Sequence, residues 1–231
     1  MERTAVVLPG PTSVVAADFD NDGDQDLLVS VGAEVGAGTG PNQFLVNNNG
    51  QFDESAVAYG IDYEFSRARH VTWLDWNQDS WLDFVIVSKN NRDSPPAAPS
   101  RVYTFNPATN SFVEESFEIH DKNNTLFASL MFDSPVLSGA PALIMSHNVN
   151  GFPDGVLEYD ATGFSDETSS FNFPTLDGMR DFALADYDND GDTDMFIASQ
   201  GGGVMLEQTG SGFVDITASS NINFNKGLFT V

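Results

Sequence analysis

The sequence predicts an all-β fold, a β-propeller of four-stranded antiparallel blades about 56 residues long. Three observations carry that prediction. An acidic turn, Asp18-Phe19-Asp20-Asn21-Asp22-Gly23-Asp24-Gln25-Asp26, returns as Asp186-Tyr187-Asp188-Asn189-Asp190-Gly191-Asp192-Thr193-Asp194. A third copy, Asp75-Trp76-Asn77-Gln78-Asp79-Ser80-Trp81-Leu82-Asp83, keeps oxygen-bearing residues at loop positions 1, 3, 5 and 9. Each copy lies between two apolar runs, and no segment reads as a helix.

The loop starts are 57 and then 111 residues apart, so a missing copy belongs near residue 131. Leu130-Met131-Phe132-Asp133 and Ala142-Leu143-Ile144-Met145-Ser146 supply flanking strands there without an acidic turn. Four units follow, approximately 11–66, 67–122, 123–178 and 179–224, with 225–231 the first strand of a further or closing blade.

Within each unit four strand signals recur in order. The first enters the loop, as in Val14-Val15-Ala16-Ala17 and Val71-Thr72-Trp73-Leu74. The second leaves it as a continuous apolar run, Leu27 to Ser30, Phe84 to Ser88, Ala142 to Ser146 and Met195 to Ser199, a pattern of burial on both faces. The third alternates more, at Phe44 to Val46, Val102 to Phe105, Val156 to Tyr159 and Val204 to Leu206. The fourth opens after a turn on Phe52, Phe112, Phe164 or Phe213. Short strands at even spacing are the mark of blades.

The stretch Asn42-Gln43-Phe44-Leu45-Val46-Asn47-Asn48-Asn49-Gly50-Gln51-Phe52-Asp53-Glu54, followed by Gly60-Ile61-Asp62, resembles the strand pair of FG-GAP/VCBS-type repeats. Such repeats build integrin alpha-chain propellers and bacterial and animal proteins similar to cartilage acidic protein. The resemblance covers nearly the whole chain, and the third unit departs from it. It implies a piece of a longer propeller; the alternative is a complete four-bladed ring closed by residues 2–8 and 226–231.

Calcium takes six to eight hard oxygen donors, which alternate residues of a tight loop can supply. The first loop offers the side chains of Asp18, Asp20, Asp22 and Asp26 and the backbone carbonyl of Asp24, with Gly23 at the sharp turn. The last offers Asp186, Asp188, Asp190 and Asp194 with the Asp192 carbonyl. The second offers Asp75, Asn77, Asp79 and Asp83 with the Trp81 carbonyl, and binds more weakly for having three charged ligands and Ser80 in place of glycine. An EF-hand would need helices on both sides and a glutamate at position 12, where Val29 and Ile197 stand inside strands. A match at position 9 is what the resemblance implies. The plain alternative is solvated hairpin turns, because Asp, Asn and Gly are ordinary turn residues. Five aspartates crowded into nine residues, twice in register with the repeat, argue for a cation.

Composition narrows the function. With 34 acids against 9 bases and a net charge of −25, the chain lacks the cationic patches of a nucleic-acid binder. No window has the apolar length of a membrane span, and Met1-Glu2-Arg3-Thr4 does not begin a signal peptide. There is no cysteine, and calcium-loaded loops together with the acidic surface favour an extracellular or cell-surface setting, with the periplasm as a variant. His70, His120 and His147 form no metal-spaced pair, no nucleophile elbow is present, and the glycines at 32, 36, 38 and 40 precede no helix.

The expectation is therefore a non-enzymatic recognition or adhesion module for a glycan or protein partner. A fragment of a polysaccharide lyase and a purely structural scaffold are the alternatives. Most bases fall in the connections at the blade ends opposite the loops, densest in the second unit, where Arg67, Arg69 and His70 enter and Lys89 and Arg92 leave. Tyr63 stands near them as a stacking surface. That group is the candidate site for an anionic partner, weighed against simple offset of an acidic surface.

Overall fold

The computed structural model describes residues 11–32, 40–63, 68–88, 100–115, 126–133, 141–147, 155–160, 163–176, 179–199 and 202–222. They form four antiparallel four-stranded sheets, each built from strands consecutive in sequence. The chain divides into two compact units, Met1–Thr125 and Leu126–Val231, with two blades in each. The division falls between the second and third blades.

In the first unit, β1 (Pro11–Ala17), β2 (Asp26–Val31), β3 (Gln43–Asn48) and β4 (Gln51–Glu54) make the first blade. β5 (Ala68–Leu74), β6 (Asp83–Ser88), β7 (Arg101–Asn106) and β8 (Ser111–Glu114) make the second. All six residues of β6 are buried, as its unbroken apolar run requires. Between the two blades lies an aromatic cluster. Phe19 meets Phe44 at 4.8 Å, Tyr59 at 5.2 Å and Phe105 at 5.7 Å, mostly edge to face, and Phe84 stacks on Tyr103 at 4.7 Å. Burial of such rings is a large contribution to the stability of this unit.

One helical turn, α1 (Ala56–Tyr59), joins β4 to β5, where the sequence showed no helix. Four residues are too few for a helical period to register. The turn is set from both ends: Glu54 Oε1 accepts the Ala56 amide at 3.1 Å, and Gly60 at φ 75° closes it with the Ile61 amide donating to Ala56 O. Tyr59 thereby reaches the aromatic cluster.

The second unit holds β9 (Leu126–Asp133), β10 (Pro141–His147), β11 (Gly155–Asp160) and β12 (Gly163–Asp166), then β13 (Met179–Ala185), β14 (Asp194–Ser199), β15 (Gly202–Thr209) and β16 (Gly212–Asp215). Its core joins Ile144 and Val156 of the third blade to Met195, Ile197 and Leu206 of the fourth. The turn at Phe171 docks on β16, whose Phe213 amide donates to Phe171 O at 2.8 Å. The aromatic openings of the fourth strands differ: Phe112 and Phe213 are buried, whereas Phe52 is exposed. The predicted terminal strands at 2–8 and 226–231 lie outside the described residues.

Candidate metal centres

Each acidic loop spans the tip between the first two strands of its blade, and one hydrogen-bond pattern shapes all three. The position 1 carboxylate accepts the amides of positions 5 and 6. Asp18 takes Asp22 and Gly23 at 3.0 Å each, Asp75 takes Asp79 at 3.0 Å and Ser80 at 2.8 Å, and Asp186 takes Asp190 and Gly191 at 3.2 Å each. The position 5 carboxylate then accepts the amide of position 7, from Asp24, Trp81 and Asp192. Two left-handed residues bend the chain around these bonds. Position 4 is Asn21, Gln78 or Asn189 at φ 59° to 63°, and position 6 is Gly23 at 96°, Ser80 at 73° or Gly191 at 100°. Sequence reading identified the second bend and missed the first, although asparagine tolerates that conformation better than most residues.

The result gathers carboxylate oxygens. One oxygen from each of Asp18, Asp20 and Asp22 lies within 4.8 Å of the others, as does a set from Asp186, Asp188 and Asp194. Several oxygens in these loops are buried with no hydrogen-bond donor: Asp20 Oδ1, Asp83 Oδ2 and Asp192 Oδ1. Burial, and then the neighbouring Asp22 and Asp18 charges, push the Asp20 carboxyl up. Burial raises Asp83 to about 7, with Asp79 and Asp75 adding to it, and raises Asp192 to about 6, with Asp190 adding most after burial. Orphaned, mutually repelling hard oxygens around a preformed turn fit a calcium ion. Such an ion would be held by the residues at positions 1, 3, 5 and 9 and would supply the charge that keeps the carboxylates ionised.

In the second loop Asn77 Oδ1 accepts the Asp79 amide at 3.0 Å, and its Nδ2 donates to Asp79 Oδ2 at 3.2 Å. Trp76 is anchored below by its indole N–H, which donates to Thr104 Oγ1 at 2.9 Å; Thr104 in turn donates to Glu115 at 2.6 Å.

The position 9 aspartates hold a second role that sequence reading missed. Asp26, Asp83 and Asp194 are 1%, 0% and 1% exposed, the first residues of β2, β6 and β14. Each accepts a backbone amide from the third strand of its own blade: Asn47 at 2.8 Å, Phe105 at 2.8 Å and Gln208 at 2.9 Å. The other oxygen of Asp26 and of Asp194 accepts the position 2 amide, from Phe19 at 3.4 Å and Tyr187 at 3.0 Å. The available signal was that these aspartates open the apolar run of a strand. In the first blade Asp24, expected to act through its carbonyl, uses its side chain to accept the Asn49 amide at 2.7 Å across the β3–β4 turn.

The candidate partner site is only partly described. Arg67, Lys89 and Arg92 lie outside the described residues, and Arg69 is placed by its backbone alone, in β5. His70 sits half-buried in β5 opposite Val87. Tyr63 is 7% exposed, and one face of its ring is covered by the Arg101 guanidinium at 3.7 Å from the centroid. Arg101, set apart from the basic group by sequence, opens β7 at the blade end away from the acidic loop. There it also pairs with Glu114 at 2.6 Å.

Blades of this topology, tipped by a repeated acidic loop, define the chain as a propeller-type repeat protein. Residues 10–43, covering β1, the first loop and β2 up to the start of β3, match the family model of the FG-GAP repeat. The first two strands of the first blade and the loop between them thus match an FG-GAP repeat, and the second and fourth blades share that loop geometry and register. No curated protein matches the chain. Among the described residues no helix is long and apolar enough to cross a membrane.

Proposed function

We propose that the chain is a calcium-stabilised, non-enzymatic recognition module working outside the cell or at its surface. The observation that supports calcium most directly is the convergence of Asp18, Asp20 and Asp22 oxygens with Asp20 Oδ1 buried and unpartnered. Calcium at extracellular concentration would fill such loops, and ion binding would then add to folding stability. The second loop, with one carboxylate fewer, is the weakest of the three.

The partner in this reading is an anionic glycan or an acidic protein segment, met at the blade ends opposite the loops. Antiparallel pairing brings the end of β2 and the start of β3, and the end of β6 and the start of β7, to those ends, and Arg101 is held there by Tyr63 and Glu114. A rigid scaffold carrying bases in its loops, on a chain of −25 net charge, concentrates its attraction for anions in one region. Retention of the full chain on sulfated and carboxylated glycans tests it. Replacing Arg67, Arg69 and Arg92 with serine should abolish retention; unchanged retention would remove the basic group from the reading, and release of unsaturated sugars would point to a lyase.

A further inference from the structure

We propose that Asp26, Asp83 and Asp194 couple cation occupancy of each loop to the third strand of the same blade. This rests on the calcium reading above and goes beyond it, because it assigns these residues a transmitting role as well as a ligand's.

The juxtaposition is the same three times. In the β1–β2 ladder Asp26 pairs with Ala17, in β5–β6 Asp83 pairs with Leu74, and in β13–β14 Asp194 pairs with Ala185, each the last pair before the loop. The second-to-third strand ladders then run Leu27 to Leu45, Phe84 to Tyr103 and Met195 to Leu206. The amide captured by the carboxylate belongs two residues further along the third strand, at Asn47, Phe105 and Gln208. The side chain therefore carries on the ladder where the second strand's backbone has turned away into the loop.

The Asp194 carboxylate also lies among the loop oxygens and Asp83 has an oxygen to spare, while Asp26 shares their place in the register and has both oxygens on amides. An oxygen of Asp194 lies within 4.8 Å of oxygens of Asp186 and Asp188, and Asp83, fully buried, keeps Oδ2 without a hydrogen-bond partner. A carboxylate oxygen has two lone pairs, so one group can accept an amide and bind an ion together. A bound ion fixes the carboxylate's orientation and charge, and a charge-assisted hydrogen bond is about twice as strong as a neutral one. Occupancy at the loop would thus tighten the loop entry, the second strand and the third strand through one side chain.

The third blade supplies the comparison. Its β9–β10 ladder ends on the pair Asp133 and Pro141, so proline stands where the other blades have the clamping aspartate. The one unit whose sequence lacks the acidic turn also lacks the carboxylate that would transmit its state. A purely structural clamp on the third strand would have no reason to disappear together with the loop acids.

Amide hydrogen exchange by NMR on the full chain, run beside calorimetric calcium titration, tests the coupling. Protection at Asn47, Phe105 and Gln208 should rise about tenfold from chelator to calcium, the change made by strengthening one charged hydrogen bond, while the Asp160 amide of the third blade stays constant. Asp26→Asn keeps an acceptor oxygen but not its charge, so Asn47 should lose the calcium-dependent gain and keep most of its basal protection. Asp26→Ala should lose both. Calcium binding with no change at these amides, or a D26N chain that keeps the gain, would overturn the coupling and leave the calcium reading standing. Absence of calcium binding would overturn both.

Discussion

The carboxylate of Asp18 reaches across its loop to accept the amide of Gly23 at 3.0 Å, and Gly23 presents that amide only because its φ is 96°. In the second blade the same bond runs from Ser80 to Asp75 at 2.8 Å with a serine forced to φ 73°. A methyl added at Gly23 would meet nothing within 4 Å, so the whole penalty there is conformational. Gly23→Ala and Gly191→Ala should each cost about 1–2 kcal/mol, and Ser80→Gly should be neutral or stabilising by up to about 1 kcal/mol. Urea unfolding of the three variants checks the signs. Destabilisation by S80G would contradict the shared loop geometry.

Removing one repelling carboxylate should act in opposite directions with and without calcium. Asp20 is surrounded by Asp18 and Asp22 and carries a buried oxygen without a donor. Asp20→Asn is expected to raise the melting temperature in chelator, by relief of repulsion, and to weaken calcium binding by about tenfold or more, by loss of a charged ligand. Paired melts in calcium and chelator read both effects. A variant less stable in both conditions would mean that Asp20 is a turn residue and not a ligand.

The second loop rests on a half-buried relay from Trp76 through Thr104 to Glu115. Thr104→Val is nearly isosteric and leaves the Trp76 indole N–H without its acceptor, at a cost of about 1–3 kcal/mol. All three tryptophans, Trp73, Trp76 and Trp81, belong to this blade, so intrinsic fluorescence reports on it selectively. The variant should shift emission and lower the unfolding midpoint. Wild-type emission and stability would show that the hydrogen bond contributes nothing.

The strand order, the loop positions and the lost copy in the third blade were legible because each follows from a period, of two along a strand or about 56 along the chain. The double role of Asp26, Asp83 and Asp194 was not, because a loop alignment treats position 9 as a ligand and says nothing of the strand opposite. Tyr63 shows a different limit. A tyrosine beside a basic loop reads as a stacking surface, and only the fold reveals that Arg101, 38 positions on, occupies one face of its ring. The single turn at Ala56–Tyr59 escaped because tertiary anchors, Ala56, Tyr59 and Ile61, form it rather than helix propensity.

Arg101 links Tyr63 of the incoming connection to Glu114 of β8. The Glu114 pair is partly solvated and the Tyr63 ring is buried, so Arg101→Ser should cost about 1–2 kcal/mol of stability. Its effect on retention by anionic glycans should be larger, a loss of several-fold or more with the fold intact by circular dichroism. Full retention by the variant would exclude Arg101 from the recognition surface.

The central claim, that a cation completes the acidic loops and stabilises the blades, is tested most directly by titrating calcium into the chelator-stripped full chain and following heat and melting temperature together. Saturable binding of two or more ions per chain, with about 2.7 kcal/mol of added stability per site at one hundred times its dissociation constant, is the expected result. A flat titration with an unchanged melting temperature would contradict it and return these loops to the status of solvated turns.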